Sequence, residues 1–353
     1  MTRYIIRRLL QAIPLLLIIS LLVFMLMMNA GDPIAAMGGR RVTRAEDRRR
    51  LTRLLGLDRP IYVQYAFWLV GDDWDKKDLD GNGIYGEDLD GDGTIDEIGQ
   101  RRGVLRADFG TSLSEKRPVL EIIADRLPNT LLLMGAYEIV VIVGALLVGI
   151  YSALHQYKVI DHIITAVTFV GYSMPIFFVA LLSMYVFAVN FRLWGLPYLP
   201  TVGMFDPQVG ATPAQLAWHM VLPVASLALI SLCGYSRYIR STMLEVLSQD
   251  YVRTARSKGL PRRTVIYLHA LKNAALPLVT IIGLDLPSLL AGAVVTERIF
   301  AWAGMGRLFL DAVENADVPV VMGCLMLVAV AVILFQILAD IAYAWLDPRI
   351  RYQ

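Results

Sequence analysis

Cysteine, histidine and charge are all scarce in this chain. Two cysteines among 353 residues, Cys233 and Cys324, both fall inside apolar runs, so no disulfide framework is expected. The four histidines, at 155, 162, 219 and 269, are scattered, with no HExxH pair and no paired-ligand spacing. Charged residues make up only 18% against 56% hydrophobic, with a mean hydropathy of +0.55, which is too apolar for a soluble domain. No GxxxxGK[ST] loop exists to cradle ATP phosphates, and no GxSxG elbow presents a nucleophile. The basic stretch late in the chain lacks the interleaved aromatic platforms of a single-strand nucleic-acid binder. Nothing points to an enzyme or to a nucleic-acid partner.

Long apolar runs are what the chain does have. Residues 9–28, 129–154, 160–191, 214–233, 274–295 and 318–346 each approach or exceed the ~20 residues that cross a bilayer. They predict an all-α polytopic membrane protein with six transmembrane helices. Arg3, Arg7 and Arg8 precede the first run, which is longer than the ~7–15-residue core of a cleaved signal peptide, so it is expected to stay as an anchor. Six spans place both termini, Lys158 and the basic residues 253–272 on one side, the cytoplasmic one, and the positive-inside rule is met without adjustment. The expected organisation is an N-terminal helix (1–30) and an extracytoplasmic region (31–128) with an acidic insert at 70–106. A core (129–348) with five further spans and a cytoplasmic loop at 249–274 follows, then a short tail (349–353).

Among the polar and helix-breaking residues within the spans, Glu138, Asp285 and Pro175 stand out. An ionised side chain at the centre of a membrane helix costs about 2.5–3.5 kcal/mol on insertion scales, so Glu138 in the second span and Asp285 in the fifth are expected to face a partner helix or a watery path. Pro175, within GYSMPIFF at 171–178, removes a backbone hydrogen bond and is expected to bend the third span.

The insert holds a ten-residue repeat, DLDGNGIYGE (78–87) followed by DLDGDGTIDE (88–97). The second copy sets Asp88, Asp90, Asp92, the Thr94 carbonyl and Asp96 at positions 1, 3, 5, 7 and 9 of a calcium loop, with Gly93 at the sharp turn of position 6. Position 12 is Gly99, so the pattern is not a complete EF-hand, and Glu97 is the available substitute. The first copy offers Asp78, Asp80 and Asn82, with Gly86 at position 9. Clustered carboxylates repel one another unless a hard cation neutralises them, which points to a structural calcium ion. The other reading is an acidic, solvated linker without any ion.

The most distinctive stretch is residues 251–277, YVRTARSKGLPRRTVIYLHALKNAALP. It predicts a short helix (249–258), a break at Gly259-Leu260-Pro261 with Gly259 as a left-handed cap, and a second helix from Arg262 to about Asn273. Tyr251, Ala255 and Lys258 share one helical face, and small Ala255 and Gly259 would let another protein approach the backbone. This stretch resembles the EAA loop of ABC-importer permeases, in the form used by B subunits of the dipeptide/oligopeptide (peptide/nickel-type) family. That form reads D-Y-V-R-T-A-R-[AS]-K-G-L then H-x-L-x-N-A-x-x-P, matched at 250–260 and 269–277. The general EAA pattern is only partly kept, since its Glu falls on Arg253. Residues 55–69 and 107–133 also resemble the family, but there the two pieces nearly abut, whereas here about 35 residues separate them. GYSMPIFF is similar to the family's S-x-P-x-F, and residues 294–323 resemble a hallmark in which a Glu (here Glu297) and a small-Gly-x-Gly-Arg segment form an outer re-entrant loop. Typical members carry a neutral residue where this chain has Asp285.

The resemblance implies a type I ABC importer permease fold in a bacterial or archaeal plasma (inner) membrane. The implied partners are a homologous second permease, two cytoplasmic ATPases that bind the ATP, and an extracytoplasmic solute-binding protein; the core itself needs no cofactor. Tyr251, Arg253, Ala255, Arg256, Gly259, His269 and Asn273 are the expected ATPase-coupling residues, and Glu138, Pro175, Asp285 and Glu297 the expected path residues. Peptides are the default cargo, with oligosaccharides or nickel chelates as alternatives. A stand-alone calcium-responsive channel built on the insert would leave the coupling stretch without a purpose.

Overall fold

The computed structural model describes residues 2–30, 45–78, 83–87, 98–99, 101–275, 278, 281–283 and 293–346. Among them the secondary structure is helical, with two isolated β-bridges, Lys76 to Ile98 and Thr111 to Pro118. The helices are α1 (Thr2–Ala30), α2 (Ala45–Leu54), α3 (Ile61–Val70), α4 (Val119–Leu154), α5 (Val159–Ser173) and α6 (Ile176–Met184). They continue with α7 (Pro213–Leu247), α8 (Asp250–Ser257), α9 (residues 262–274), α10 (Val294–Ile299), α11 (Met305–Glu314) and α12 (Val318–Leu346). Five helical stretches among the described residues are long and apolar enough to cross a membrane: Ile6–Asn29, Val119–Leu154, Ile176–Leu193, Pro213–Leu247 and Val318–Leu338.

The third expected span is where sequence and structure differ. Pro175 does more than bend it. Proline pushes the preceding residue out of the α region, and Met174 (ψ 133°) and Pro175 (ψ 140°) are both extended, so α5 stops at Ser173 and α6 starts afresh at Ile176. From Ile176 the helix continues through a π-helical segment, Tyr185–Asn190, to Leu193. The second span begins ten residues before its expected start, at Val119, and the fourth runs on to Leu247 because nothing between Cys233 and Ser248 breaks it. The fifth expected span, 274–295, lies for most of its length outside the described residues.

The chain divides into two compact units. The first comprises Met1–Ile5, Leu127–Arg307 and Ala331–Gln353. Its core joins Leu133, Val141 and Ala145 of α4 to Ile239 and Met243 of α7, Ala270 of α9 and Trp302, all without solvent exposure. Below that core, Asp161 in the first turn of α5 is 2% exposed and takes both arms of Arg240 from α7, Nε to Oδ1 at 2.9 Å and Nη2 to Oδ2 at 2.8 Å. The Ser152 hydroxyl of α4 and the Tyr157 amide also donate to it. Two parallel charge-assisted bonds fix direction as well as distance, so one carboxylate holds the neighbouring ends of three helices. In contrast, α5 turns Ile163, Val167, Phe169 and Val170 outward, each more than half exposed, a surface suited to lipid or to another apolar helix.

The second unit comprises Ile6–Arg126 and Leu308–Val330. Phe24 of α1, Trp68 of α3 and Val318 and Met322 of α12 form its apolar core. Asp317 caps α12 within it, accepting from the Ser112 hydroxyl at 2.5 Å and the Ser114 amide at 3.0 Å.

Candidate functional site

The expected coupling stretch folds as a helix pair, α8 and α9, on the end of α7. Val252 and Ala255 of α8 are buried against Val265 of α9 and Val246 and Leu247 of α7. This corrects one expectation. Ala255 does not lie on the face a partner would meet; its small side chain lets α8 sit close on the chain's own helices. The outward face carries Tyr251, Arg253, Arg256, Lys258 and Gly259, all exposed. Gly259 has φ +76°, and its amide closes the helix end on the Arg256 carbonyl at 3.0 Å. A side chain at this φ is strained, but among the described residues no atom beyond its chain neighbours lies within 4 Å of where a Cβ would stand. Gly259 thus ends α8 on an open surface.

The second helix of the pair is not regular. An α-turn (Arg262–Thr264) leads into a π-helical segment (Val265–Leu271) and returns to α at Lys272–Ala274. Such wide turns are rare and concentrate at functional positions. His269 is half-buried inside the π segment, and the exposed Asn273 donates its side-chain amide to the His269 carbonyl at 2.9 Å. Arg262, Arg263 and Lys272 remain exposed, so the pair is basic outside and apolar where it meets α7.

The expected path residues scatter. Pro175 sits at the α5–α6 break, beside an apolar cleft of about 600 Å³ lined by Phe169, Val170, Ser173, Met174, Phe177 and Phe178. Glu138 is buried on α4, in the same turn as the core residue Tyr137. Asp285 lies outside the described residues.

Glu297, on α10, has no solvent exposure and is enclosed by hydrogen bonds rather than lining a path. Its Oε1 accepts from the Thr130 hydroxyl at 2.8 Å and its Oε2 from the Arg307 amide at 2.9 Å. Thr130 in turn accepts from the Met305 amide at 2.7 Å. The Trp302 indole donates to the Asn129 carbonyl at 3.0 Å, and the Asn129 amide returns a bond to the Ala303 carbonyl at 2.8 Å. A Cβ on Gly304 would fall on the Glu297 carboxyl, so only glycine lets the segment fold over that group. Burial pushes the Glu297 carboxyl above its ordinary value, against the hydrogen bonds from Arg307, Thr130 and Gly306. The Gly-Met-Gly of the sequence is the lid of a carboxylate cradle.

Of the expected metal ligands, only Asp78 is among the described residues; Asp80, Asn82, Asp88, Asp90, Asp92, Thr94, Asp96 and Glu97 lie outside them. Among the described residues no three His, Cys, Asp or Glu side chains gather as a metal site. The base of the insert is instead closed by an ion cluster that the sequence reading missed. Asp72, with no solvent exposure, receives Lys77 Nζ at 2.8 Å, Arg101 Nη2 at 2.9 Å and the Arg101 amide at 2.9 Å. Burial alone would raise the Asp72 carboxyl, but the charge of Arg101 and the hydrogen bond from Lys77 hold it below its ordinary value. A Cβ on Gly99 would collide with the Asp72 carbonyl, so the residue that spoils position 12 of a calcium loop has a packing role. An aspartate and two cations 5 and 29 residues away carry no periodic signal, so sequence alone did not pair them.

With this geometry in view, comparison with known proteins gives one answer. Residues 145–352 match the family described as the binding-protein-dependent transport system inner membrane component, and residues 1–80 match the N-terminal part of that system's membrane component. The chain belongs to this permease family. It is 40% identical to the oligopeptide transport system permease protein AppB of Bacillus subtilis, over the whole of both chains. It is 35% identical to the dipeptide transport system permease protein DppB of Escherichia coli K12, again over both full lengths. The di/tripeptide transport system permease protein DppB of Pseudomonas aeruginosa is 34% identical over its full length. The chain is thus an ABC importer permease, a transport subunit of a family that resides in the inner membrane.

Proposed function

We propose that this permease forms half of the translocation path of an ATP-driven importer for di- and oligopeptides. The observation that carries the reading is the α8–α9 pair, seated on α7 by Val252, Ala255 and Val265 while exposing Tyr251, Arg253, Arg256 and Gly259. A rigid apolar seat with an open basic face is what a lever needs if a cytoplasmic ATPase is to push on it. In this reading His269 and Asn273 hold the shape of α9, and Ala255 positions α8 rather than touching the partner. The importer would be completed by a homologous second permease, two ATPases and an external binding protein, with six spans in this chain and both termini cytoplasmic. Peptide cargo is supported by the names of the full-length relatives. The test is co-purification of the tagged chain from its native membrane in mild detergent, followed by ligand assays on the binding protein recovered with it. Recovery of the chain alone removes the importer reading, and a binding protein that takes only sugars or nickel chelates removes peptides.

For the insert, we propose a structural calcium ion. In the first repeat the Gly83 amide donates to Asp78 Oδ2 at 3.1 Å with Gly83 at φ +90°, the turn a calcium loop makes at its sixth position. Weak extracellular sites bind at about 10⁻⁴–10⁻³ M, so calorimetry at millimolar calcium is expected to show binding. A flat titration overturns it.

A further inference from the structure

We propose that α3 is immersed in the outer leaflet of the membrane, with its stripe of Tyr62, Ala66 and Val70 turned to lipid. The helix thereby fixes the height at which the acidic insert leaves the bilayer. The proposal is independent of the cargo and rests only on α1 and α12 being membrane spans.

α3 lies in the middle of the region whose sequence reads as an extracytoplasmic excursion, yet no charged residue occurs between Arg59 and Asp72. Its one non-aromatic polar side chain, Gln64, is spent locally, donating to the Leu57 and Arg59 carbonyls at 3.4 and 2.7 Å. One side of the helix is occupied. Trp68 is buried against Phe24 of α1 and against Val318 and Met322 in the first two turns of α12. The Tyr65 hydroxyl reaches further, lying 2.8 Å from the Ser20 hydroxyl and donating to the Leu17 carbonyl at 3.3 Å. These contacts set the depth. Leu17 and Ser20 precede Asn29, the outer end of the apolar stretch of α1, by 12 and 9 residues, which is about 14–18 Å along a helix. The whole stretch of 24 residues is about 36 Å long against a hydrocarbon core of about 30 Å. The hydroxyl therefore lies within the outer half of the membrane.

The other side of α3 is bare. Tyr62, Ala66 and Val70 recur at every fourth residue, and all three are exposed. A helix that is apolar all round belongs inside a protein or inside a bilayer. This chain covers one side only, and the depth of Tyr65 assigns the other to lipid rather than to a soluble binding protein. Tyr62 in the first turn and Trp74 just past the last one, its ring 6.0 Å from Phe67, are both exposed. Tyrosine and tryptophan are the residues that gather at headgroup level.

The experiment uses the full chain in its assembled importer, reconstituted in a phosphatidylcholine bilayer. Nitroxide labels are attached in Tyr62→Cys and Val70→Cys, with the buried Cys233 and Cys324 changed to alanine. Leu22→Cys on α1 and Glu115→Cys, both at exposed positions, give the lipid and water references. Collisions with oxygen, which partitions into lipid, are compared with collisions with a water-soluble nickel chelate. The oxygen-to-nickel ratio at both α3 positions is expected to match that at Leu22 and to exceed that at Glu115 several-fold. A ratio like that at Glu115 would put the stripe in water and overturn the proposal. Few collisions with either reagent would mean that a protein partner covers it, with the same consequence. If the labelled variants do not insert, the unmodified chain decides. A phosphatidylcholine with a diazirine on its acyl chain should then form adducts within residues 61–70, and adducts on α1 with none there would overturn the proposal.

Discussion

Replacing Gly259 separates what the coupling pair needs for folding from what it needs for docking. The residue is in the left-handed region at φ +76°, where a non-glycine side chain costs about 1–2 kcal/mol and asparagine less. Among the described residues, no atom beyond its chain neighbours stands within 4 Å of the added Cβ, so the cost there stops at the backbone strain. Gly259→Asn should therefore leave both folding and transport close to wild type. Gly259→Trp pays the same local strain but projects an indole into the space the proposed ATPase occupies. Forcing extra bulk into a packed contact costs about 1–3 kcal/mol, which is about a 5- to 150-fold loss of ATPase affinity. The assay has three readings on one preparation: yield in the membrane, recovery of the second permease, and recovery of the ATPases with transport. The first two should hold while the third falls. Wild-type transport in Gly259→Trp would refute the docking assignment. Failure of the protein to insert would refute the claim that the site is open.

Two further outcomes follow from the buried charges. Arg240→Ala leaves the Asp161 carboxylate enclosed without its fork and should cost about 3–5 kcal/mol, seen as a lower thermal midpoint in detergent; an unchanged midpoint would mean that the pair does not tie α5 to α7. Asp72 is held below its ordinary value of 3.8, so its contribution to closing the insert is present above that pH and fades as pH falls through the depressed value. Protection of the Arg101 amide, taken relative to the intrinsic exchange rate at each pH, should thus hold at pH 5 and fall below about pH 4, and protection lost already at pH 6 would refute this account.

What was legible in the sequence was what local chemistry sets. Apolar length located the first, second, fourth and sixth spans, and Gly259 followed by Pro261 gave the joint between α8 and α9, because a left-handed cap and a fixed proline φ act on their own neighbours. The burial of Ala255 was not legible, since helical spacing says which residues share a face but not which face the rest of the chain covers. Pro175 was read as a bend, yet Met174 before it must also leave the α region, and two consecutive extended residues end a helix. Glu297 looked like a path residue because a carboxylate near a membrane invites that role. Its enclosure depends on Thr130, 167 positions away, and such a pairing leaves no mark in either local pattern.

The same distinction explains how a permease tolerates an acidic insert of this size. Added residues are cheap when the ends of the segment stay close, since closure entropy grows only slowly with length. Here the ends are joined. The Asp72 amide donates to the Arg101 carbonyl at 2.9 Å, and Arg106 Nη2 donates to the Val70 carbonyl at 3.0 Å. Gly103 packs so tightly on Val70 and Gly71 that a Cβ there would strike their backbone. The chain therefore leaves Val70 and returns beside it, with α3 against the turn at Val104–Arg106. The Asp72 cluster is then the seam of the insertion, and it does its work whether or not the acidic repeat beyond it takes an ion. It follows that Asp72→Asn and a cut-back of residues 78–97 should behave differently. The first opens the seam and weakens the second unit as a whole. The second leaves Asp72, Lys77 and Arg101 in place and should leave that unit's stability unchanged.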